Sequence, residues 1–260
     1  MRVRSLLSLS LLIIICVFQY SCTSQKKLRY FENLDTTALQ EFNISEFPEY
    51  RIQQRDILYI RFVTMNDQMN DLLNVGSGRY SSQLYQNETS LYINGYTVND
   101  SGDVVLPILG EIHIVGLSID EAQRTIQKAA NKYLKDASVI VKLISFKFTV
   151  IGEVNRPGTY TNFNNQLTVL EAIGMAGDIT DYGNRSEVLV VRPSPSTTTT
   201  YKLNLQDKKI IESKAFFILP NDIVIVDPIK SKPFHLNIPT MTLILSTVST
   251  LILVLSFINN

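Results

Sequence analysis

Residues 147–160 read KFTVIGEVNRPGTY and are the most informative stretch of this chain. Phe148 and Val150 alternate with polar neighbours, as in a β-strand with one buried face. Residues 155–158 then favour a tight turn, because proline presets φ and glycine permits a positive φ. A return strand begins at Thr159. The stretch therefore predicts two strands joined by a turn.

A short helix and further strands follow this pair. Thr168 is a good N-cap for a helix over residues 169–175, and the Ala-Gly pair at 176–177 ends it. Segments with strand composition follow at residues 187–192, 201–205 and 223–226. This order predicts a compact β-grasp-like domain over residues 145–230.

A second small unit is predicted upstream, over residues 50–144. Ser118 and Glu121 form a capping box that opens an amphipathic helix reaching Leu134. Residues 66–97 are polar and are interpreted as a long surface loop. The strand-like segments of this unit are residues 50–62, 104–112 and 137–143. The predicted fold class is therefore α+β, with two small units in series.

The first 21 residues have the pattern of a secretory signal peptide. Arg2 and Arg4 precede an apolar run of about 14 residues, which is too short to span a bilayer comfortably. Cys22 follows a small residue, as in a bacterial lipobox, and is the predicted site of lipid attachment. Residues 22–49 are then a polar, lipid-anchored tether.

Two alternatives to lipidation at Cys22 remain open at this stage. Gln19 stands where lipoboxes favour leucine, and Cys16 is a weaker competitor because a bulky isoleucine precedes it. The other reading is a soluble secreted protein with one spare thiol.

The C-terminal residues 240–258 form a second apolar run, without charge, glycine or proline. As a helix they would extend about 28 Å, which matches a hydrocarbon core of roughly 30 Å. We therefore expect a linker at 231–239 followed by a transmembrane helix. One stripe of this helix carries hydroxyl side chains, at Thr242, Ser246, Ser249 and Ser256. The stripe predicts packing beside copies of the same helix or pore lining; a plain anchor or a buried core helix are the alternatives.

Composition excludes several classes of function. The chain has 24 Lys+Arg and 24 Asp+Glu, so no basic excess predicts nucleic-acid binding. Its two cysteines lie before position 23 and its two histidines are far apart, which predicts neither a disulfide scaffold nor a metal site. We expect no cofactor. Removal of Arg2 and Arg4 with the signal would leave the mature protein slightly acidic.

No motif for nucleophilic or phosphate chemistry is present, and the remaining pairs are weak candidates. Glu111 and His113 share a strand face and could act as acid and base. Such a pair is more often two exposed side chains on the surface of a sheet. Glu153 beside Arg156 could contact a ligand, but a turn-stabilising pair is the preferred interpretation. Residues 100–103 hold two aspartates around a glycine, which is better explained by a hairpin turn than by calcium. We predict no enzymatic activity.

Several of these segments together resemble a known family. The upstream unit carries YRIQQRDIL at 50–58, DSGDVVLPILG at 100–110 and LSIDEA at 117–122, which are similar to the outer-membrane polysaccharide export family. Arg55 replaces the family's usual glycine, which predicts a turn that avoids a positive φ. Residues 150–160 and 167–179 are similar to the soluble ligand-binding β-grasp (SLBB) domain. The resemblance covers most of the mature chain.

The resemblance implies an export domain at 50–144 followed by an SLBB domain at 145–230. Family members build homo-oligomeric rings that pass capsular polysaccharide or exopolysaccharide to the cell surface. Their implied partners are an inner-membrane polysaccharide co-polymerase with its tyrosine kinase, and the lipid of the outer membrane. The rival hypothesis is a monotopic envelope lipoprotein whose β-grasp domain binds a glycan or a partner protein.

Overall fold

The structure is a computed structural model that describes residues 28–34, 48–74, 93–134, 136–164, 166–194, 197–230 and 232–258. Within these ranges the chain is mixed α+β, with two sheet-containing units and a C-terminal helix. Leu143, at the end of the last strand of the first unit, packs against the cores of both units.

The upstream unit is built on a small antiparallel sheet. Its elements are β1 (Ile57–Val63), α1 (Asp67–Leu73), β2 (Tyr96–Thr97), β3 (Asp103–Leu106), β4 (Gly110–His113), α2 (Ile119–Ala130) and β5 (Ser138–Leu143). The sheet order is β2-β1-β5, and β3 and β4 form a separate hairpin. The buried side of α2, with Ala122, Ile126 and Ala130, joins the same core as Phe62 of β1.

Helix α2 begins where the sequence predicts and is held against β5 by one glutamine. The Ser118 hydroxyl accepts from the Glu121 amide at 3.2 Å, and the Glu121 carboxylate accepts from the Ser118 amide at 2.8 Å. Gln127 donates to the Ala137 carbonyl at 2.7 Å and accepts from the Val139 amide at 2.8 Å. The cap and this bidentate contact fix the register of helix and strand.

A buried carboxylate organises the turn before β1. Asp56 accepts hydrogen bonds from the Gln53 amide at 2.8 Å, the Tyr50 hydroxyl at 2.7 Å and the Ser145 hydroxyl at 3.1 Å. Burial raises the pKa of Asp56 above its ordinary value. The preceding residue, Arg55, has φ +70°, so the prediction that this turn avoids a positive φ is wrong. The surrounding hydrogen bonds hold the turn in the geometry that glycine would adopt without strain.

The second unit is a five-stranded sheet with one covering helix. Its elements are β6 (Lys147–Gly152), β7 (Gly158–Thr161), α3 (Val169–Met175), β8 (Gly183–Pro193), β9 (Thr198–Leu203), a 3₁₀ helix (Lys208–Glu212) and β10 (Ile223–Pro228). The strand order is β7-β6-β10-β8-β9. Strands β6 and β10 are parallel and the other neighbours are antiparallel.

The core of the second unit is separate from that of the first. Phe148 of β6, Val224 of β10 and Ile173 of α3 are among its buried side chains. At one end of the sheet, Arg192 makes a two-nitrogen contact with the fully buried Asp222, at 3.0 and 2.7 Å, and also donates to the Phe217 carbonyl. This ion pair ties β8 to the loop before β10, so its role is structural.

The last element, α4 (Lys232–Ile258), is a helix, but the prediction of a transmembrane helix over residues 240–258 is wrong. Among the residues that the structure describes, no helix is long and apolar enough to cross a membrane.

Candidate functional site

The structure describes only some of the residues predicted for lipid attachment and for helix packing. Cys22 lies outside the described residues. Thr242, Ser246 and Ser249 are exposed on α4, whereas the side chain of Ser256 is outside the described part of the chain. The Ser246 and Ser249 hydroxyls donate to carbonyls one turn earlier in their own helix, at 2.9 and 2.8 Å. A role of this stripe in helix packing or pore lining stays a prediction.

The candidate acid and base on the hairpin are not brought together as a pair. His113 Nδ1 lies 2.7 Å from Asp103 Oδ1 across the β3–β4 ladder, while Glu111 faces Val105. The Asn99 side chain accepts from the amides of residues 101 and 103, as in a turn. Over the described ranges, no group of three or more His, Cys, Asp or Glu side chains could hold a metal ion.

Glu153 has a partner that its sequence neighbourhood does not contain. Its carboxylate pairs with Lys232, the first residue of α4, and accepts from the Thr180 hydroxyl at 2.9 Å. Arg156, the neighbour considered from sequence, contributes its backbone carbonyl to the Tyr160 hydroxyl. The Lys232 contact holds the pKa of Glu153 below its ordinary value. This pair links the β6–β7 turn to the C-terminal helix.

The opposite end of the chain reaches the same region. The Tyr30 hydroxyl donates to the Asp178 carboxylate, and the Arg185 guanidinium lies 5.5 Å from the centre of the Tyr30 ring. Arg185 is only 5% exposed and donates to the Ile179 carbonyl at 2.8 Å. Burial and the bond to Asp178 raise the pKa of Tyr30. The tyrosine therefore remains neutral and serves as a donor.

Backbone contacts extend this docking along the segment 28–34. Phe31 and Glu32 donate their amides to the carbonyls of Leu205 and Gln206, at 3.2 and 2.7 Å. The Asn33 side chain then binds the start of the 3₁₀ helix, donating to Asp207 at 3.0 Å and accepting from the Lys208 amide at 2.8 Å. From sequence, this segment is predicted to be part of the tether at residues 22–49, because its seven residues show no helical or strand periodicity.

These contacts form one connected cluster, which we call the terminal junction and define as Tyr30, Glu153, Asp178, Thr180 and Lys232. Asp178 and Thr180 lie two residues apart, so the loop after α3 contacts the N-terminal segment with one side chain and Glu153 with the other. Glu153 in turn holds Lys232. With Arg185 included, the charges of the junction balance. The arrangement suits mechanical coupling of both chain ends to one domain.

Both units are similar to known protein families. Residues 45–144 match the family described as polysaccharide biosynthesis/export protein, and residues 146–226 match the SLBB domain. A protein of Ralstonia nicotianae named EPS I polysaccharide export outer membrane protein EpsA is 28% identical over 118 residues, covering 44% of this chain and 31% of the relative. The protein of the same name from Ralstonia solanacearum is 31% identical over 104 residues, covering 38% of this chain and 28% of the relative. The chain thus spans about a third of the length of these curated relatives.

Proposed function

We propose, from the premise that the chain belongs to the polysaccharide biosynthesis/export protein family, that it is an outer-membrane component exporting capsular polysaccharide or exopolysaccharide. The observation that carries this proposal is the order of the two matches. An export domain and an SLBB domain adjoin each other at residues 144–146 and coincide with two separate hydrophobic cores. The names of the Ralstonia relatives support the same process and the same membrane.

The contacts of two candidate side chains also fit an export role. His113 pairs with Asp103 across the hairpin, and Asn99 holds the turn at residues 101–103. The terminal junction has the connections expected of a scaffold element, since it joins segments far apart in sequence. A moving glycan chain must be held weakly at many points, which requires no deep catalytic cleft.

The finer proposal is a homo-oligomeric ring in the periplasm, tethered to the outer membrane through a lipid on Cys22. The ring receives the glycan from an inner-membrane co-polymerase, which has an associated tyrosine kinase, and passes it to the cell surface. The docked segment 28–34 begins six residues after Cys22, and six extended residues reach about 20 Å. A lipid at Cys22 would therefore hold the SLBB domain close to the membrane surface.

Deletion of the gene in its native host tests the export function. We expect cell-surface polysaccharide to be lost and to return on complementation with the wild-type chain. Surface polysaccharide that is unchanged in the deletion strain would contradict the proposal.

Lipid attachment is tested by fatty-acid labelling of two matched variants. Cys22→Ala is expected to abolish incorporation of labelled palmitate and membrane association, whereas Cys16→Ala, at the other cysteine, is expected to preserve both. Labelling that persists in Cys22→Ala would reject this anchor.

Native mass spectrometry of the detergent-extracted protein tests the ring. A closed homo-oligomer larger than a dimer is expected. Monomers or dimers alone would favour the rival, a monotopic lipoprotein that binds a glycan or a partner protein.

A further inference from the structure

A cleft on the export domain has no part in the terminal junction. It has a volume of about 270 Å³ and lies between the start of α1 and the end of α2. Its lining combines hydroxyl, amide and carboxylate groups with thioether and aromatic side chains: Thr64, Met65, Asn66, Met69, Tyr133, Leu134 and Asp136. It is mixed in character rather than apolar.

Three polar groups of this lining are available to a ligand. Within the described part of the chain, no hydrogen-bond partner meets the Tyr133 hydroxyl or the Asp136 carboxylate. Asn66 uses its side-chain oxygen to cap α1, accepting from the Gln68 amide at 2.9 Å, which leaves its amide nitrogen as a donor. A donor, an acceptor and a hydroxyl thus belong to the lining of one small cleft.

The apolar part of the lining is unusually open to solvent. Met65 is 98% exposed and Tyr133 is 63% exposed, whereas Leu134 is nearly buried. An exposed tyrosine ring beside a carboxylate and an amide matches a sugar ring, which has apolar C–H faces and a rim of hydroxyl groups. The described lining contains one carboxylate, Asp136, so the carboxylate of a uronic acid would meet a like charge there.

We propose that this cleft is a binding site for one neutral pyranose unit of a glycan chain, with Tyr133 under the sugar ring and Asp136 and Asn66 on its hydroxyl groups. The inference rests on the proposed function, because it names a contact point for the exported polymer. A shallow site with three polar contacts gives an affinity on the order of 1 mM, weak enough for a chain that must move on.

The chain contains no tryptophan, so one introduced tryptophan reports on this site alone. The experiment titrates the full-length Tyr133→Trp protein in detergent with maltohexaose, cellohexaose and an oligogalacturonate while tryptophan emission is recorded. We expect a saturable change with a neutral oligosaccharide and none with the oligogalacturonate. The matched control is Tyr182→Trp, an exposed tyrosine on the SLBB domain, whose emission should not respond.

Sugar binding by two further variants is measured by saturation-transfer NMR, with the wild-type chain as reference. Tyr133→Ala and Asp136→Asn are each expected to weaken neutral-sugar binding about tenfold, since each loses a stacking or charge-assisted contact. No response of Tyr133→Trp at 50 mM (about fifty times the expected Kd), an equal response in Tyr182→Trp, or tighter binding of oligogalacturonate would overturn the proposal. A changed oligomeric mass in Tyr133→Ala would also overturn it, because the cleft would then be an interface between copies.

Failure here is distinct from failure of the proposed export function. Loss of surface polysaccharide in the deletion strain without sugar binding by the purified chain rejects the cleft alone. Sugar binding without any export phenotype rejects export and leaves the cleft standing.

Discussion

Gly152, at the end of β6, is a residue at which one added methyl group would collide with the backbone of a neighbouring strand. Its φ is +94°, and a Cβ atom there would lie 2.1 Å from the Val226 carbonyl oxygen of the parallel strand β10. Both the backbone conformation and the close approach of two strands therefore require glycine.

We expect Gly152→Ala to destabilise the protein by at least about 2 kcal/mol, because it combines backbone strain with a clash that strand separation alone can relieve. Urea unfolding measures the change. The control is Gly174→Ala in α3, where a Cβ meets nothing within 4 Å and alanine favours the helix, so stability should be equal or higher. Equal stability of the two variants would contradict this account.

The Glu153–Lys232 pair has a predictable dependence on pH. The pKa of Glu153 is lowered in the folded protein, so its contribution is complete above the ordinary value of 4.5 and is lost as the pH falls through the folded value. We expect Glu153→Gln to lose about 1 kcal/mol of unfolding free energy at pH 7 and much less at pH 2.5.

Thermal unfolding at both pH values measures this difference, with Glu187→Gln as the control. Glu187 pairs with Lys202 at side-chain exposures of 50% and 61%, so solvent screens the contact and its loss should have a smaller effect. A deficit of Glu153→Gln that is the same at pH 2.5 and pH 7 would show that the ion pair is not its source.

Single residues also mark the limits of sequence reasoning. The capping box of Ser118 and Glu121 could be predicted because both partners lie within four residues. Lys232 could not be assigned to Glu153, since 79 positions separate them and only the folded sheet brings them together. The prediction that the turn at Arg55 avoids a positive φ failed for a related reason. Tertiary hydrogen bonds around Asp56 impose a φ that arginine disfavours.

Among the elements, the segment 28–34 is held on the SLBB domain through Tyr30 and the residues that follow it. Tyr30 bonds Asp178 and stacks under Arg185, and the amides of Phe31 and Glu32 follow it onto Leu205 and Gln206. The segment has no core of its own, and Tyr30 and Phe31 pack against the core of the SLBB domain. Local opening should therefore be controlled by this packing and these hydrogen bonds.

We expect Tyr30→Phe to accelerate hydrogen exchange of the Phe31 and Glu32 amides about tenfold, because it removes a hydrogen bond to a charged acceptor. Exchange measured by NMR on the full chain tests this. The Ile52 amide, bonded to Leu117 in the export domain, is the internal control and should be unchanged. Unchanged exchange at all three amides would mean that the ring stacking alone holds the segment.

Helix α1 shows why short elements escape prediction. Residues 66–97 are interpreted from sequence as a loop, yet Asp67–Leu73 is helical and Tyr96–Thr97 pairs with β1. A helix of seven residues has little stability on its own. The helix is instead fixed at its ends, by the Asn66 cap and by Asn74, whose side chain bonds both the amide and the carbonyl of Phe62.

At the scale of the whole molecule, two hydrophobic cores share one chain. Phe62 anchors the first and Phe148 the second, and both are almost completely buried. The sequence could predict this division, because strand and helix patterns repeat twice in order. It could not predict how the chain ends attach, since neither Tyr30 nor Lys232 belongs to a periodic pattern.

We expect Phe148→Ala to destabilise the SLBB domain by about 3–5 kcal/mol and Phe62→Ala to destabilise the export domain by a similar amount. Hydrogen–deuterium exchange with mass spectrometry should locate the loss of protection mainly in residues 146–226 for the first and in 52–143 for the second. Loss spread equally over both units in either variant would show that they unfold as one cooperative unit.

The terminal junction determines how a pulling force would travel through this chain. Tension applied between the N-terminal segment and α4 passes through Tyr30, the loop from Asp178 to Thr180, and the Glu153–Lys232 pair. The export domain lies on the chain between the two attachment points and is bypassed by that load. Stress that enters at either attachment point would reach the SLBB domain first, while the export domain stays mechanically shielded.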